Sequence, residues 1–363
     1  MHILMTTDAL GGVWSYCMEL IRALQALDIR VTLACLGPPP RSHHYQTLLA
    51  LGEVELEICE GRLEWMPDCE EDLARAGEWL LELERRCQPD LVHLNDYAHA
   101  ALAWRAPTIV VGHSCVLSWW RAVHRAPADG SWDAYRRRVR AGLGATRAVV
   151  APSAWMLEQL SSCYEIEFEG LVINNARRAS DFRQGPASPL VLGAGRVWDP
   201  AKNLPALDAA AEQLPWSVFV AGADRDPEGR ATTTRHAKLL GPLSQNELAW
   251  WMRRASIFAH PARYEPFGLA PLEAALSGCA LVLGDIGSLR ELWGDAAAFV
   301  DPDDHQALTA ALRSLIDDPG RRSMMAARAE LRARRYSVPR MAAAYHALYR
   351  EVAADWRTGA CAS

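Results

Sequence analysis

Two doubly wound α/β domains, each a parallel sheet covered by helices on both faces, are the fold class that the sequence predicts. Three observations predict it. The chain has 363 residues, which is long for a single hydrophobic core. Short apolar runs alternate with longer helical patterns along its length, as parallel strands with crossover helices require. A polar stretch rich in Ser, Pro and Gly, "ARRASDFRQGPASP" at 176–189, breaks the alternation and reads as an interdomain linker.

The elements follow in order. "HILMTT" (2–7) predicts the first strand, "VWSYCMELIRALQAL" (13–27) the first helix and "VTLACL" (31–36) the second strand. "VELEIC" (54–59), "LVHLN" (91–95), "TIVVGH" (108–113) and "AVVAPS" (148–153) continue the series, and "LVINN" (171–175) ends it. After the linker the pattern restarts with "LVLGAG" (190–195), "WSVFVAG" (216–222), "IFAHP" (257–261) and "ALVLGD" (280–285). Helices fit at about 203–214, 244–254, 268–278 and 303–318. The expected domains are 1–180 and 181–337, facing across a cleft, with ligand groups beyond the C-terminal ends of the strands. The tail 338–363 opens with an amphipathic helical stretch, which either packs on its own domain or crosses back to brace the first.

Half of the residues are hydrophobic, so both domains can bury a core. A net charge of −6 gives no general attraction to nucleic acid. Nine cysteines, an odd number with no CxxC spacing, read as reduced and mostly buried thiols. The start "MHILMTTDAL" lacks the length and cleavage site of a signal peptide, and no apolar run approaches the ~20 residues of a membrane span. A soluble, cytoplasmic protein is expected. The basic cluster "YRRRVR" (135–140) is a solvated helix face by default, and contact with an anionic inner membrane surface is the other reading.

Several residues have chemistry in excess of packing. Gly11 and Gly12 stand between the first strand and the first helix, where a backbone can approach a ligand and the helix start favours an anion. With no third glycine in a GxGxxG spacing, a dinucleotide site is poorly supported. Arg196 and Lys202, in "GAGRVWDPAKNL", follow the first strand of the second half and suit a diphosphate. Lysine occurs only twice in this arginine-rich chain, at Lys202 and Lys238, so its placement here is informative. His113 closes a strand, and its reach extends to a substrate hydroxyl or a backbone carbonyl. In "YEPFGLAPLE" (264–273), Pro266 keeps Glu265 out of the following helix. The amides of Phe267, Gly268 and Leu269 then lie unpaired at a helix start. Glu273 falls inside an otherwise apolar run, an odd place for a solvated carboxylate. Two carboxylates suit two sets of sugar hydroxyls, with the amides between them for phosphate.

The ordered set Gly11-Gly12, His113, "APS" (151–153), "VINNA" (172–176), Arg196 with Lys202, "KLLGPLSQNEL" (238–248) and "YEPFGLAPLEAALSGCALVLGDIGSLREL" resembles retaining glycosyltransferases of family 4. The resemblance spans most of the chain and is strongest over 190–300. It implies the GT-B architecture, two Rossmann-like domains with a nucleotide-sugar donor on the C-terminal one. By that likeness Arg196 and Lys202 hold the diphosphate and Glu273 the ribose. Glu265 meets the transferred sugar beside the amides of Phe267, Gly268 and Leu269, and Leu240 lies by the base. Gly11 and Gly12 approach the phosphate, His113 the sugar, and Ser153 the cleft floor. Two positions depart from the family pattern: Asn175-Ala176 replaces Asn-Gly, and Gly287-Ser288 replaces Gly-Gly.

The implied reaction moves a sugar from a UDP- or GDP-sugar to a glycan, lipid-linked or small-molecule acceptor with retention of configuration. His113, Arg196, Lys202 and Glu265 carry it, without a required metal or cofactor. "DRD" (224–226) and "DPD" (301–303) read as loop and cap residues rather than a metal site. Asn95, Asp96, Trp119, Trp120 and Arg121 are the candidate acceptor contacts, although the two tryptophans equally fit a packed helix. Two other classes compete: a GT-B nucleotide-sugar epimerase, for which no further acid/base set is evident, and a non-catalytic nucleotide-sugar binding protein. Lys202→Ala and Glu273→Ala are each expected nearly to abolish transfer and leave the fold intact.

Overall fold

The computed structural model describes residues 1–52, 54–226 and 229–360. The chain divides into two units. The first takes Met1–Arg121, Ala126–Ala176 and the C-terminal segment from Val338; the second takes Ala122–Arg125 and Arg177–Ser337.

In the first unit β1 (His2–Asp8), α1 (Gly12–Gln25), β2 (Arg30–Gly37), α2 (Ser42–Leu49) and β3 (Glu55–Glu60) build one half of a sheet. Next come α3 (Glu70–Cys87), β4 (Leu91–Leu94), β5 (Thr108–Val111), α4 (Val116–His124), α5 (Asp133–Ala145), β6 (Ala148–Ala151), α6 (Ala154–Tyr164) and β7 (Gly170–Val172). The seven strands lie in the order β3-β2-β1-β4-β5-β6-β7, all parallel. The order reverses between β1 and β4, and a doubly wound sheet opens a crevice at such a place.

The second unit runs β8 (Ser188–Ala194), α7 (Leu204–Ala211), β9 (Ser217–Ala221), β10 (Lys238–Gly241), α8 (Gln245–Arg254), β11 (Ala255–His260), α9 (Leu269–Leu276) and β12 (Ala280–Gly284). It finishes with α10 (Gly287–Trp293), β13 (Ala298–Val300), α11 (His305–Asp317) and α12 (Pro319–Ala333). Its parallel order is β10-β9-β8-β11-β12-β13, so the switch lies between β8 and β11. α13 (Val338–Ala360) returns to the first unit.

Strand alternation explains why each sheet has two cores. Ile3 and Met5 face α1 and α13, packing with Leu20, Ile21, Tyr345 and Tyr349. Leu4, between them in sequence, faces the other way, toward Leu80 and Leu83 of α3. In the second unit Leu192 joins Leu272 of α9 and Ala329 of α12, while Val191 joins Leu207 of α7 and Leu312 of α11. Strands with two apolar faces read as continuous apolar runs, which is why the sequence announced them.

All eight cysteines among the described residues are free, six of them buried. Cys361 lies outside the described residues. No described helix is long and apolar enough to cross a membrane.

Candidate active site

The chemistry of the second unit collects where β8 and β11 end side by side. Beyond β8, Gly195 takes a positive φ of 153° and leads to Arg196, whose guanidinium binds Asp199 at 2.7 Å. Asp199 is itself buried, accepts from the Ala201 amide at 2.9 Å and thereby shapes the turn that delivers Lys202. Asn203, in the left-handed region at φ 53°, fixes the start of α7 by donating to the carbonyls of Pro261 and Pro302.

Beyond β11, the chain turns through Pro261 to Glu265. Lys202 Nζ donates to Glu265 Oε2 at 2.8 Å, and both side chains are only 15% exposed. His260, the last residue of β11, is 1% exposed and places Nε2 3.1 Å from the same oxygen. Burial alone pushes the Glu265 carboxyl up, but the Lys202 ammonium and His260 outweigh it and hold the group well below the usual carboxylate range. Ser288, fully buried, donates from its hydroxyl to the Glu265 carbonyl at 2.6 Å. The departure from Gly-Gly at this position therefore supplies a strut to the loop that carries Glu265.

Gly268 adopts φ 88° and opens α9, whose first internal bond runs from the Leu272 amide to the Gly268 carbonyl at 3.2 Å. The amides of Leu269 and Ala270 thus precede any helical partner, and Pro271 has none to offer. Phe267 turns its ring inward against Tyr336, with centroids 5.4 Å apart. Glu273 lies within α9, buried, with Oε1 2.7 Å from Nε of Arg177, a guanidinium that is 3% exposed. Arg177 is the contact that sequence reading missed. Its position beside "VINNA" held the signal, a charge at the end of an otherwise small and apolar stretch. The pair also alters the expectation for Glu273→Ala, because that change removes a carboxylate from beside a buried guanidinium. Leu240 is half-buried in the edge strand β10.

The first unit brings its candidates together at the β1–β4 switch. Asn95 follows β4 and donates through Nδ2 to the Thr6 carbonyl at 2.6 Å, while its Oδ1 accepts from His113 Nε2 at 2.8 Å. His113 also meets the Tyr16 ring edge-on at 4.5 Å. Burial pushes His113 down to about 3, so the imidazole is neutral at ordinary pH. Behind it His93, likewise pushed down to about 3 by burial, bonds the Tyr349 hydroxyl of α13 at 2.6 Å.

Asp96 pairs with His99 at 2.6 Å and accepts from the Thr6 hydroxyl at 3.0 Å. Buried Glu64 accepts from the Ala98 amide at 2.8 Å, and burial followed by the Asp96 charge raises it to about 7. Asp8, Glu64, Trp65, Asn95, Asp96 and His99 share one cavity. Gly11 and Gly12 are exposed at the start of α1, and a Cβ on Gly11 would meet nothing within 4 Å. Ser153 caps α6, its hydroxyl accepting from the Met156 amide at 3.2 Å.

Trp119 and Trp120 lie half-buried on α4, and Trp120 packs against Trp132 at 6.1 Å; Arg121 is exposed beside them. The structure leaves these three outside the lining of the Asn95–Asp96 cavity. The acidic pairs 224–226 and 301–303 shape loops: Asp226 accepts from the Arg230 amide at 2.8 Å and Asp301 from the Asp303 amide at 2.9 Å.

Comparison with known proteins agrees with this layout. The description "Glycosyltransferase Family 4" matches residues 10–176, and "Glycosyl transferases group 1" matches 198–332. A glycogen synthase of Mycobacterium tuberculosis is 28% identical over 345 residues, covering 85% of this chain and 83% of that protein. Among solved structures, a sucrose-phosphate synthase from Thermosynechococcus elongatus superposes with a TM-score of 0.81 at 19% identity, over 98% of this chain and all of that one. HepE of Anabaena, solved with UDP-glucose, superposes at 0.76 with 18% identity, over 99% of this chain and all of that one. These superpositions define a GT-B fold. The chain belongs to the group 1 glycosyltransferases of family 4.

Proposed function

We propose that this chain transfers a sugar from a nucleotide-diphosphate sugar, UDP- or GDP-linked, to a hydroxyl acceptor, with retention of anomeric configuration. The observation that carries the reading is the buried Lys202–Glu265 pair at the β8–β11 switch, next to Arg196 and the open start of α9. Lys202, Arg196 and the amides of Phe267, Gly268 and Leu269 receive the negative charge that grows on the departing diphosphate. Glu265 accepts hydrogen bonds from hydroxyls of the transferred sugar. Glu273, held by Arg177, accepts from the ribose, and Leu240 flanks the base.

In the reaction the bond from the anomeric carbon to phosphate oxygen breaks. A bond to the acceptor oxygen forms on the same face, and the acceptor's proton passes to the departing phosphate. The chain need supply no nucleophile for this step. HepE's solved complex with UDP-glucose supports a uridine donor, and the glycogen synthase likeness supports a glycan acceptor.

For the acceptor we assign the cavity of the first unit, where Asn95 and Asp96 stand among Asp8, Glu64 and His99 with Trp65 in its wall. Carboxylates there favour a neutral polyhydroxyl acceptor over a phosphorylated one. His113, a neutral imidazole, suits hydrogen bonding to a substrate hydroxyl, and Gly11 and Gly12 leave room for a substrate group at the start of α1. Trp119, Trp120 and Arg121 are a secondary acceptor surface, where rings stack on sugar faces. A location at the inner membrane face belongs to the lipid-linked version of this reading.

Thermal shift and hydrolysis against UDP-, GDP- and ADP-sugars test the proposal. Stabilisation and slow hydrolysis by one of them is expected, and indifference to all three contradicts it.

A further inference from the structure

We propose that His260 is a positioning residue for Glu265, its Nε2–H fixing one carboxylate oxygen so that the other is presented to the reacting sugar. The inference rests on the role proposed above for Glu265. Lys202 and His260 both converge on Oε2, at 2.8 and 3.1 Å. Oε1 has no hydrogen-bond partner among the described residues. An ionised carboxylate only accepts, so Nε2 of the imidazole carries a hydrogen. Nδ1 is buried and has no partner among the described residues either.

That orphaned nitrogen is the telling feature. β11 is buried along its whole length, and Phe258 lies on the same side as His260, its ring nearly parallel at 6.3 Å. An apolar side chain at 260 would satisfy this environment without stranding a polar atom. What the imidazole adds is one donor, aimed at Glu265.

The two donors differ in what a substrate does to them. Lys202 sits on a flexible stem with three hydrogens, and a bound diphosphate competes for it. His260 is seated on a strand and cannot follow. When the ammonium turns to phosphate, the imidazole keeps the carboxylate in register, while Ser288 holds the backbone of the same residue through its 2.6 Å bond to the Glu265 carbonyl. A displacement of about 1 Å at such a contact is enough to lower turnover by about 100-fold.

Two measurements on the whole chain test the proposal. In nitrogen-15 spectra of the ligand-free protein, the His260 signal, assigned by its loss in His260→Gln, should show a hydrogen on Nε2. It should move in Glu265→Gln. A hydrogen on Nδ1 alone, or a signal indifferent to Glu265→Gln, overturns the proposal. In initial-rate assays with UDP-glucose, His260→Leu should lower kcat by about tenfold or more. Its affinity for UDP, which lacks the sugar, should stay within about twofold by calorimetry. His260→Gln, whose amide can stand where Nε2 does, should recover most of the loss. Equal loss in both variants, or kcat retained in His260→Leu, overturns the positioning role. Full turnover in Glu265→Gln removes the reading of Glu265 itself, and with it this one; the tautomer result stands apart from both.

Discussion

At the residue scale, the two glutamates of "YEPFGLAPLE" have different partners and hence different sensitivities. Glu265 is held by donors that leave one of its oxygens open, whereas Glu273 is ion-paired with a buried arginine. Removing Glu273 takes a buried carboxylate from Arg177, and a broken buried pair costs about 3–5 kcal/mol. Glu273→Ala should therefore lower the urea midpoint as well as transfer, and Arg177→Met in the same chain should restore much of the stability. Additive losses in the double variant would contradict the pairing. Both glutamates were legible in the sequence as polar residues in apolar surroundings. Two of their partners were not, because Arg177 is distant from Glu273 in sequence and His260 is ordinary in type, a strand-end residue that the turn after β11 folds against Glu265. Ser288 was legible as a departure from the family pattern, but its bond to the Glu265 carbonyl was not.

At the element scale, the site depends on close backbone contact between the turns after β8 and β9. Gly222 adopts φ 140°, and a Cβ there would stand 1.8 Å from the Gly195 carbonyl oxygen, one residue from Arg196. Gly222→Ala should cost about 2 kcal/mol or more in urea unfolding. Gly11 is the contrast. A Cβ at that position meets nothing in the protein, so Gly11→Ala should cost about 1 kcal/mol or less, the usual penalty of a poorer helix cap. If Gly11 serves a substrate, the same variant loses transfer while keeping its fold; unchanged initial rates would count against that role. Most strands were legible because parallel strands buried on both faces give unbroken apolar runs. β10 and β13 are the edge strands of the second sheet and mostly half-buried, so they give no fully apolar run flanked by others, and α12 was hidden by its arginines.

At the scale of the whole molecule, the buried histidines make the first unit sensitive to acid. His93 is pushed down to about 3 by burial, while an unfolded histidine titrates near 6.5. Below that pH the unfolded chain binds a proton that the folded chain refuses, so stability is full above about pH 6.5 and falls with acidification. Glu64, raised to about 7, works in the opposite direction over part of the same window, so the comparison should be between chains differing at one group. The stability advantage of the parent over His93→Gln should shrink by about 2 kcal/mol between pH 6.5 and 5 in urea titrations. A difference independent of pH would show that His93 is not held neutral.

Whether sugar transfer is driven from the Lys202–Glu265 pair is decided by a single comparison. The purified chain and Lys202→Ala, matched for folding by circular dichroism and melting, are assayed for initial rates with the nucleotide sugar that stabilises the parent. With Lys202 in its proposed role toward the departing diphosphate, loss of the ammonium should lower turnover by about 100-fold or more. Turnover in folded Lys202→Ala within a few-fold of the parent would contradict the account.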